Sequence, residues 1–300
     1  MFDVLQTEKI LDGDAFRKTV TELLLLARAD DPMAGLWEAG DLQWWAALDE
    51  GSGSRRDAFW FDAEHRPIAA FTSWLAESDV YTEFLSRPSI DVATRDQLID
   101  LVVERLVADR RFAGKRVWIT VDERDFLLRE RFDSAGFGFN PNDDMVQMLF
   151  RPASVPEAVA LPERMIFTDD RSRNAGSPHH LAKRNGSGIV DKLHEQSLYR
   201  RDLDLSIRTD NGDVAAYCLC WLDVDNGVGL FEPVRTEDAF QRMGLGHSLM
   251  IEGIGRLRHH GADVIKVSRD RTNLAAERLY SRAGFTDSYA KLRYSLFRSS

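Results

Sequence analysis

The chain has few residues of the kinds that cross-link a protein or anchor it in a membrane. Only two cysteines occur among its 300 residues. Cys218 and Cys220 stand two apart in one predicted strand, where they share a face and a disulfide between them would be badly strained. No apolar stretch approaches the roughly 18 residues that cross a bilayer. We therefore expect a cytoplasmic protein with reduced thiols, no membrane segment and no metal.

The chain also lacks an excess of positive charge. Its 49 acidic and 39 basic residues give a net charge of −10, which argues against a nucleic-acid partner because phosphate binding needs a basic face. An acidic surface would suit a cationic amine. The 44% hydrophobic content can form a sizeable core, and a length of 300 residues predicts two domains of about 150 residues each.

The second half has a regular order of predicted elements. Three strands, "LDLSIRT", "VAAYCLCWLDV" and "VGLFEPVRT", are separated by Asp-Asn-Gly turns and indicate an antiparallel meander. A helix follows the loop "QRMGLG", and the strand "DVIKVSR" comes next. A second helix has Asn273 as its N-cap and Gly284 as its C-cap. The region "SYAKLRYSLF" predicts a final strand.

The first half repeats this order. "DFLLRERFDSAGF", residues 125–137, aligns with "NLAAERLYSRAGF", residues 273–285, at an offset of 273 − 125 = 148. We therefore predict an α/β (α+β) chain of two tandem domains, each a mixed, mostly antiparallel sheet flanked by helices. The domains cover 1–150 and 164–300, and a linker with three prolines covers 151–163.

The two copies differ at the positions that bear on function. The first copy has "ATRDQL" in place of the glycine loop, Phe132 in place of Tyr280 and Asp125 in place of Asn273. Six of the seven tryptophans lie in the first half, which favours an aromatic core or interface over a ligand platform. The histidine pairs 179–180 and 259–260 have no metal-ligand spacing.

The loop "QRMGLG" predicts an anion site. Gly244 and Gly246 leave bare amides at the start of a helix, where the helix dipole favours a phosphate or pyrophosphate. The loop lacks the Lys-Ser/Thr of a P-loop and the third glycine of the dinucleotide fingerprint. A purely steric role for the glycines is the alternative.

The wider pattern of this loop and the following helix resembles the GNAT superfamily of acyl-CoA-dependent N-acyltransferases. The matching residues are Gln241, Gly244, Gly246, Asn273, Tyr280, Gly284 and Phe285. The duplicated halves resemble the tandem members of that superfamily, of which mycothiol synthase is one. The resemblance implies that acetyl-CoA is the acyl donor.

The resemblance also implies the site residues. The implied cofactor-binding residues are Val234, Gln241, Arg242, Met243, Gly244, Leu245, Gly246, His247 and Asn273. Glu232 is the implied base, with Asp223 or Glu237 as lesser helpers, and Tyr280 is the implied general acid. Two alternatives stay open: Glu232 can lie on a solvated face, and Tyr280 can be a core residue.

Pro233 suits strands that splay around a thioester, and it suits an ordinary bulge equally well. The polar segment Arg171–Asn185 is placed where this superfamily forms its acceptor pocket.

These observations favour one function and leave two others open. The favoured one is acetyl-CoA-dependent N-acetyl transfer, direct and without metal, to a primary amine of a small molecule. Only the second copy is active, and the first builds part of the acceptor cleft. The alternatives are a non-catalytic acyl-CoA-binding regulatory protein and an interaction module that uses the tryptophan-rich half. The acceptor, the acyl length and the oligomeric state stay undetermined.

Overall fold

The fold is described from a computed structural model, which covers residues 7–48, 57–151, 157, 160–173 and 176–298. Most of the predicted linker, 151–163, lies outside the described residues. None of the described helices combines the length and apolar character needed to cross a membrane.

The predicted repeat appears as a repeated order of elements. In the first half these are β1 (Lys9–Leu11), α1 (Gly13–Asp30), α2 (Ala39–Leu48), β2 (Asp57–Phe61), β3 (Pro67–Leu75), β4 (Asp79–Ser86), α3 (Val92–Ala108), β5 (Arg116–Asp122), α4 (Phe126–Ser134), β6 (Gly138–Phe139) and β7 (Met145–Phe150). In the second half they are β8 (Met165–Asp169), α5 (Ala182–Asn185), α6 (Ile189–His194), β9 (Asp204–Thr209), β10 (Val214–Asp223), β11 (Val228–Thr236), α7 (Leu245–His259), β12 (Val264–Asp270), α8 (Leu274–Arg282) and β13 (Thr286–Phe297). Both halves therefore run through a three-stranded meander, a helix, a strand, a second helix and a last strand.

The two halves exchange their last strands. The sheet order is β1-β2-β3-β4-β5-β13-β7-β12-β11-β10-β9-β8, and β6 pairs β13. The last strand of the second half, β13, pairs with β5 of the first, and β7 pairs with β12 of the second. The sheet is mostly antiparallel, since only β4–β5 and β11–β12 are parallel among the described pairs. The sequence predicted two sheets, but the halves share one, because each last strand covers an edge of the other half.

Side chains alternate between the two faces of this sheet. Helices α3 and α4 of the first half, and α7 and α8 of the second, cover one face with two large apolar cores. Helices α1, α2 and α6 cover the other face. We call the first the outer-helix face and the second the α1–α2 face.

Helix α2 belongs to the first half but packs on the second. A Cβ at Gly40 would lie 2.6 Å from Cβ of Trp221 on β10, so only glycine allows this approach. Trp44, one turn further along α2, joins the same buried cluster as Trp221 and Leu230. The α1–α2 face is thus closed by an element that crosses between halves.

A buried ion network also crosses between halves. Glu38, just before α2, accepts from Nε of Arg28 at 2.6 Å and from Nζ of Lys266 on β12 at 2.6 Å. Burial by itself would raise the pKa of the Glu38 carboxyl, but the charges of Arg28 and Lys266 outweigh burial and lower that pKa to about 2. Removing Glu38 would leave two buried cations without a counter-ion.

Glu38→Gln is expected to lower the free energy of unfolding at pH 7 by about 3–5 kcal/mol, because breaking a buried ion pair strands its partners. Chemical denaturation measures the change. The difference from the parent protein shrinks as the pH falls from about 4.5 to about 2, since the folded-state pKa of Glu38 lies at about 2 and its ionised form is what stabilises the fold.

The matched control is Glu64→Gln, which removes an exposed partner of Arg66 and should change stability by less than about 1 kcal/mol. Equal effects of the two substitutions would contradict the importance of the network.

Candidate active site

The strands β11 and β12 separate partway along their length. Their parallel pairing ends at Phe231 and Val267, although β11 continues to Thr236. At the same point β11 bulges against β10: Cys218 pairs Val234 and Cys220 pairs Phe231, so Glu232 and Pro233 lie between the two pairs. The two alternatives for Pro233, a splay and a bulge, therefore occur together.

A groove of about 790 Å³ lies beside this split on the outer-helix face, between the end of β11 and the first turns of α7 and α8. Eight of the nine predicted cofactor-binding residues line it: Val234, Gln241, Arg242, Gly244, Leu245, Gly246, His247 and Asn273. The ninth, Met243, is not among the lining residues and is exposed. Four arginines also line the groove, at positions 235, 242, 278 and 282. This basic groove suits a phosphorylated ligand.

The two loop glycines are needed for different reasons. Gly244 caps α7 in the left-handed conformation, at φ +80°, and no side chain caps the helix. A Cβ at Gly246 would lie 3.2 Å from Leu279 and from Thr236, so the tight packing of α7 against α8 and β11 requires a small residue there. Backbone conformation therefore explains Gly244 and close packing explains Gly246, while the anion site predicted for the loop stays a prediction.

The structure shows the surroundings of three further predicted groove residues. Asn273 caps α8 by accepting from the Ala276 amide at 3.0 Å. Burial, and then the charge of Arg282, lowers the pKa of His247, so its ring is neutral at pH 7. Gln241 donates to Asp238 at 3.2 Å, within the turn that leads into the loop.

The corresponding helix of the first half supplies its own anion. Asp91 caps α3 by accepting from the Thr94 amide at 3.0 Å. Arg87, just after β4, forms an ion pair with Asp30 of α1 at 2.8 Å, and Arg95 of α3 pairs with Asp125, the residue that caps α4. The first copy therefore offers no bare helix terminus at this position.

A second cavity, of about 510 Å³, lies on the opposite, α1–α2 face of the sheet. Its aromatic lining residues are Phe16, Trp37, Trp45, Trp74 and Tyr81, and its charged ones are Asp41, Glu83, Glu232, Asp270 and Arg293. Glu232 lines this cavity, whereas Val234, two residues further along β11, lines the groove. We call this second cavity the acceptor-side cavity, because residues of the first half line it and the sequence predicts that the first half builds part of the acceptor cleft.

The tryptophan-rich segment has two roles. Trp44 is buried in the interface between the halves, which agrees with the prediction of an aromatic core or interface. Trp37 and Trp45 line the acceptor-side cavity, so the interface interpretation is incomplete for them. Sequence reasoning missed this because the strand exchange, which brings the halves together, leaves no mark in the tryptophan pattern.

Glu232 is a carboxyl with a strongly shifted pKa. Burial, and then the nearby charge of Asp41, raises the pKa of Glu232 to about 8, against the opposing charge of Lys291. Its backbone carbonyl accepts from Nε1 of Trp221 at 2.7 Å, which fixes the strand at this residue. Glu232 is therefore placed in a low-dielectric wall of the cavity, and the solvated-face alternative is not what the structure shows.

The predicted helpers of Glu232 are occupied elsewhere. Asp223 accepts from Asn226 at 2.6 Å, and Glu237 pairs with Arg184 at 2.9 Å. Among neighbouring charged groups, Asp41 of α2 instead has the largest effect on the pKa of Glu232. Burial raises the pKa of Asp41 itself to about 6. Asp41 lies in the first half, so the spacing along the second half could not indicate it.

Tyr280 lies on α8 with only 7% of its surface exposed. Its ring packs near Phe285, with centroids 6.3 Å apart, and the residue also lines the groove. Burial, and then the charge of Glu232, raises the pKa of its hydroxyl, which keeps the phenol protonated. Both interpretations of its position, core and groove, therefore describe it.

The segment before β9 holds an unexpected cluster. His179 and His180 both approach Asp204, at 3.0 and 2.7 Å, and among the described residues these three are the group whose donor atoms are close enough to hold a metal. Spacing along the chain did not indicate this cluster, because an irregular loop can bring adjacent side chains to one point, and the expectation that no metal binds stays a prediction.

Hydrogen bonding gives this cluster a different role. Nδ1 of His179 accepts from the Leu181 amide at 3.2 Å, so its proton lies on Nε2 and is donated to Asp204. Tyr199 also donates to Asp204, at 2.7 Å. The cluster ties His179, His180 and Tyr199 to the first residue of β9, and no described residue of Arg171–Asn185 lines the acceptor-side cavity.

Comparisons with known proteins indicate what the chain resembles in sequence and in fold. Residues 168–285 match the acetyltransferase (GNAT) family model. No relative was found among curated proteins.

Solved structures resemble the whole chain in fold. One is a tandem GNAT protein from the clavulanic acid biosynthesis pathway, with 11% identity, a TM-score of 0.63, and 96% of this chain and 97% of that chain covered. Another is a GCN5-related N-acetyltransferase from Sphaerobacter thermophilus, with 17% identity, a TM-score of 0.58 and 96% and 94% covered. A third is a GNAT-family acetyltransferase from Colwellia psychrerythraea, with 12% identity, a TM-score of 0.57 and 97% and 99% covered. The second half therefore matches the acetyltransferase (GNAT) family model, and the whole chain resembles tandem GNAT proteins in fold.

Proposed function

We propose that this protein transfers an acetyl group directly from acetyl-CoA to a primary amine of a small molecule, using only its second half. The observation that carries the proposal is the split between β11 and β12. It lies between a basic groove on the outer-helix face and an acidic, aromatic cavity on the α1–α2 face. Two substrates can thus approach one point from opposite sides of the sheet.

The donor is assigned to the groove. The amides of residues 243–247 and the N-terminus of α7 would bind the pyrophosphate, because the N-cap residue Gly244 provides no side-chain cap there and helix N-termini attract anions. Gln241 and Arg242 shape the loop, and Asn273 holds the start of α8. The edge of β11 at Val234 faces no partner in β12, so it can pair with the amides of the pantetheine arm.

The proton transfers are assigned to Glu232 and Tyr280. An ammonium group must lose a proton before its nitrogen attacks, and a carboxylate whose pKa lies near 8 accepts that proton better than an ordinary carboxylate does. The new carbon–nitrogen bond forms as the carbon–sulfur bond breaks. Tyr280 then donates its hydroxyl proton to the departing thiolate, and the proton that the nitrogen releases as the amide forms restores the Tyr280 hydroxyl. No covalent enzyme intermediate and no metal is needed.

The first half is assigned a structural role in the site. We assign residues 1–150 to a GNAT-like domain without the pyrophosphate loop, and 164–300 to the catalytic domain. The Asp91 cap and the Arg87–Asp30 ion pair argue against a second donor site. Helices α1 and α2 instead wall the acceptor-side cavity. The unbridged thiols of Cys218 and Cys220, 3.9 Å apart, fit a cytoplasmic enzyme.

Calorimetric titration with acetyl-CoA is expected to give one site per chain. Gly244→Val should weaken binding at least 100-fold, which corresponds to about 2.8 kcal/mol, because a branched side chain blocks the approach to the α7 amides and disfavours the left-handed conformation. The matched control is Gly261→Val, which has the same backbone strain, with φ +97° and open space around it, at the other end of α7.

Equal loss in both variants would mean that strain alone acts, and two sites per chain would contradict the assignment of the first half.

Tyr280→Phe is expected to slow turnover by about 100-fold and to leave the affinity for acetyl-CoA unchanged. The reason is that the ring still fills the core while the proton donor is lost. Release of free CoA thiol, with an amine acceptor found by screening, measures the rate. Tyr294→Phe, in the other core, is the control. An unchanged rate in Tyr280→Phe would make Tyr280 a packing residue.

Glu232→Gln should remove a pH dependence as well as most of the rate. In the parent enzyme kcat/KM is expected to rise with pH through about 8, since the base is active only when ionised and its pKa is about 8. The variant should be at least 100-fold slower and should lose that rise, keeping only the titration of the amine itself. Glu237→Gln serves as control. Parallel profiles for Glu232→Gln and the parent would exclude Glu232 as the base.

A further inference from the structure

The acceptor-side cavity is built by both halves of the chain. Helix α2 and the segment before it supply its roof, β3 and β4 supply one wall, and β11, β12 and the exchanged strands β7 and β13 supply the rest. Its volume of about 510 Å³ lies within the range of small-molecule sites. What this cavity binds can be inferred from the chemistry of its lining.

The first feature of the lining is its aromatic surface. Trp37 and Trp45 meet edge to face, with ring centroids 4.9 Å apart. Trp74 and Tyr81 are directly opposite each other across β3 and β4, and they are 38% and 42% exposed. The cavity therefore has aromatic walls, and the two partly exposed rings mark its opening. Such a surface favours a flat or apolar body over a polyhydroxylated one.

The second feature is an excess of carboxyl groups. Asp41, Glu83 and Glu232 converge on the cavity, and none of the three forms an ion pair with a lysine or arginine among the described residues. Asp41 accepts only the Glu38 amide at 2.7 Å, and Glu83 accepts from Thr120 at 2.9 Å. The second carboxyl oxygen of Glu83 is buried and has no hydrogen bond of normal geometry among the described residues, although Trp37 lies close enough to lower the pKa of this carboxyl.

The resident cations do not balance these carboxyls. Lys291 is buried, donates to Ser268 at 2.7 Å and lies 4.0 Å from the centre of the Trp37 ring. Arg293 lines the cavity, and its charge lowers the pKa of Glu83. Asp270 also lines the cavity, so four carboxyl groups face only two basic groups, Lys291 and Arg293. Burial raises the pKa of the Glu83 carboxyl to about 7, against the opposing hydrogen bonds and the charges of Arg293 and Lys291. A cation bound beside Glu83 would favour its ionised form.

We propose that the acceptor-side cavity binds a monoamine with an aromatic or similarly apolar body, such as an arylalkylamine, and that this is the class of acceptor. The ammonium group lies among Asp41, Glu83 and Glu232. The apolar body lies against Trp37 and Trp45. The role as acceptor rests on the proposed transferase function, whereas the binding preference rests on the cavity alone.

The test is a calorimetric titration of the full-length protein, with and without saturating CoA, which binds but transfers nothing. The probes are tryptamine, its neutral analogue tryptophol, and spermidine, a polyamine without an aromatic body. Tryptamine is expected to bind at least tenfold more tightly than either. Equal binding of tryptamine and tryptophol would overturn the charge argument, and tighter binding of spermidine would overturn the aromatic one.

Two substitutions test the named contacts. Trp45→Leu and Glu83→Gln should each weaken tryptamine binding about tenfold, while Trp118→Leu, outside the cavity lining, should not. Thermal unfolding verifies that each variant is folded. Glu83→Gln should affect tryptamine and not tryptophol, a selectivity that general damage to the fold would not produce. Equal weakening of both ligands would overturn the assignment of Glu83.

Turnover separates this inference from the proposed function. Acetylation of tryptamine with release of CoA thiol supports both. Tight binding of tryptamine without acetylation of any amine supports the cavity's ligand class and overturns the transferase. Acetylation of spermidine or glucosamine without tryptamine binding supports the transferase and overturns this inference.

Discussion

The exchange of last strands between the halves is the constraint on which the rest of the molecule depends. Because β13 pairs with β5 and β7 pairs with β12, the backbone hydrogen bonds of one sheet fix the two copies in a single register. Lys291 and Arg293 then reach the centre of the α1–α2 face from the far end of the chain. Helix α2 is held over the second half by the same arrangement, and the ion network at Glu38 completes it. Neither copy could form the acceptor-side cavity alone, because both supply lining residues.

The proposed chemistry depends on the point where β11 and β12 stop pairing. Ladder hydrogen bonds hold β11 and β12 together only as far as Phe231, and the bulge in β11 then turns Glu232 toward one face while Val234 borders the other. This opening lets the two faces of the sheet carry opposite charge, with arginines at the groove and carboxyls in the cavity. A fully paired sheet would separate the two ligands completely.

The sequence predicted the elements of the second half well, because its turns, caps and glycine loop are local signals. The meander, α7 and the Asn273 cap follow from short stretches of chain, whereas the groove residues were implied by the resemblance to a known family. The strand exchange could not be predicted, since β7 and β13 have equivalent patterns and either could pair with either neighbour. For the same reason the partnership of Asp41 with Glu232 was missed, and so was the cavity role of Trp37 and Trp45. The convergence of His179 and His180 on Asp204 depends on loop geometry that has no periodicity.

The cap of α3 shows what separates the two copies thermodynamically. In the first copy Asp91 is a permanent internal ligand for the helix terminus, and such caps stabilise a protein by about 1 kcal/mol. In the second copy Gly244 leaves the same terminus without any side chain, so an equivalent stabilisation is available only from a molecule in solution. A ligand that binds at this turn would therefore make the second copy more resistant to unfolding as the ligand concentration rises, whereas the first copy would gain no stability from that ligand.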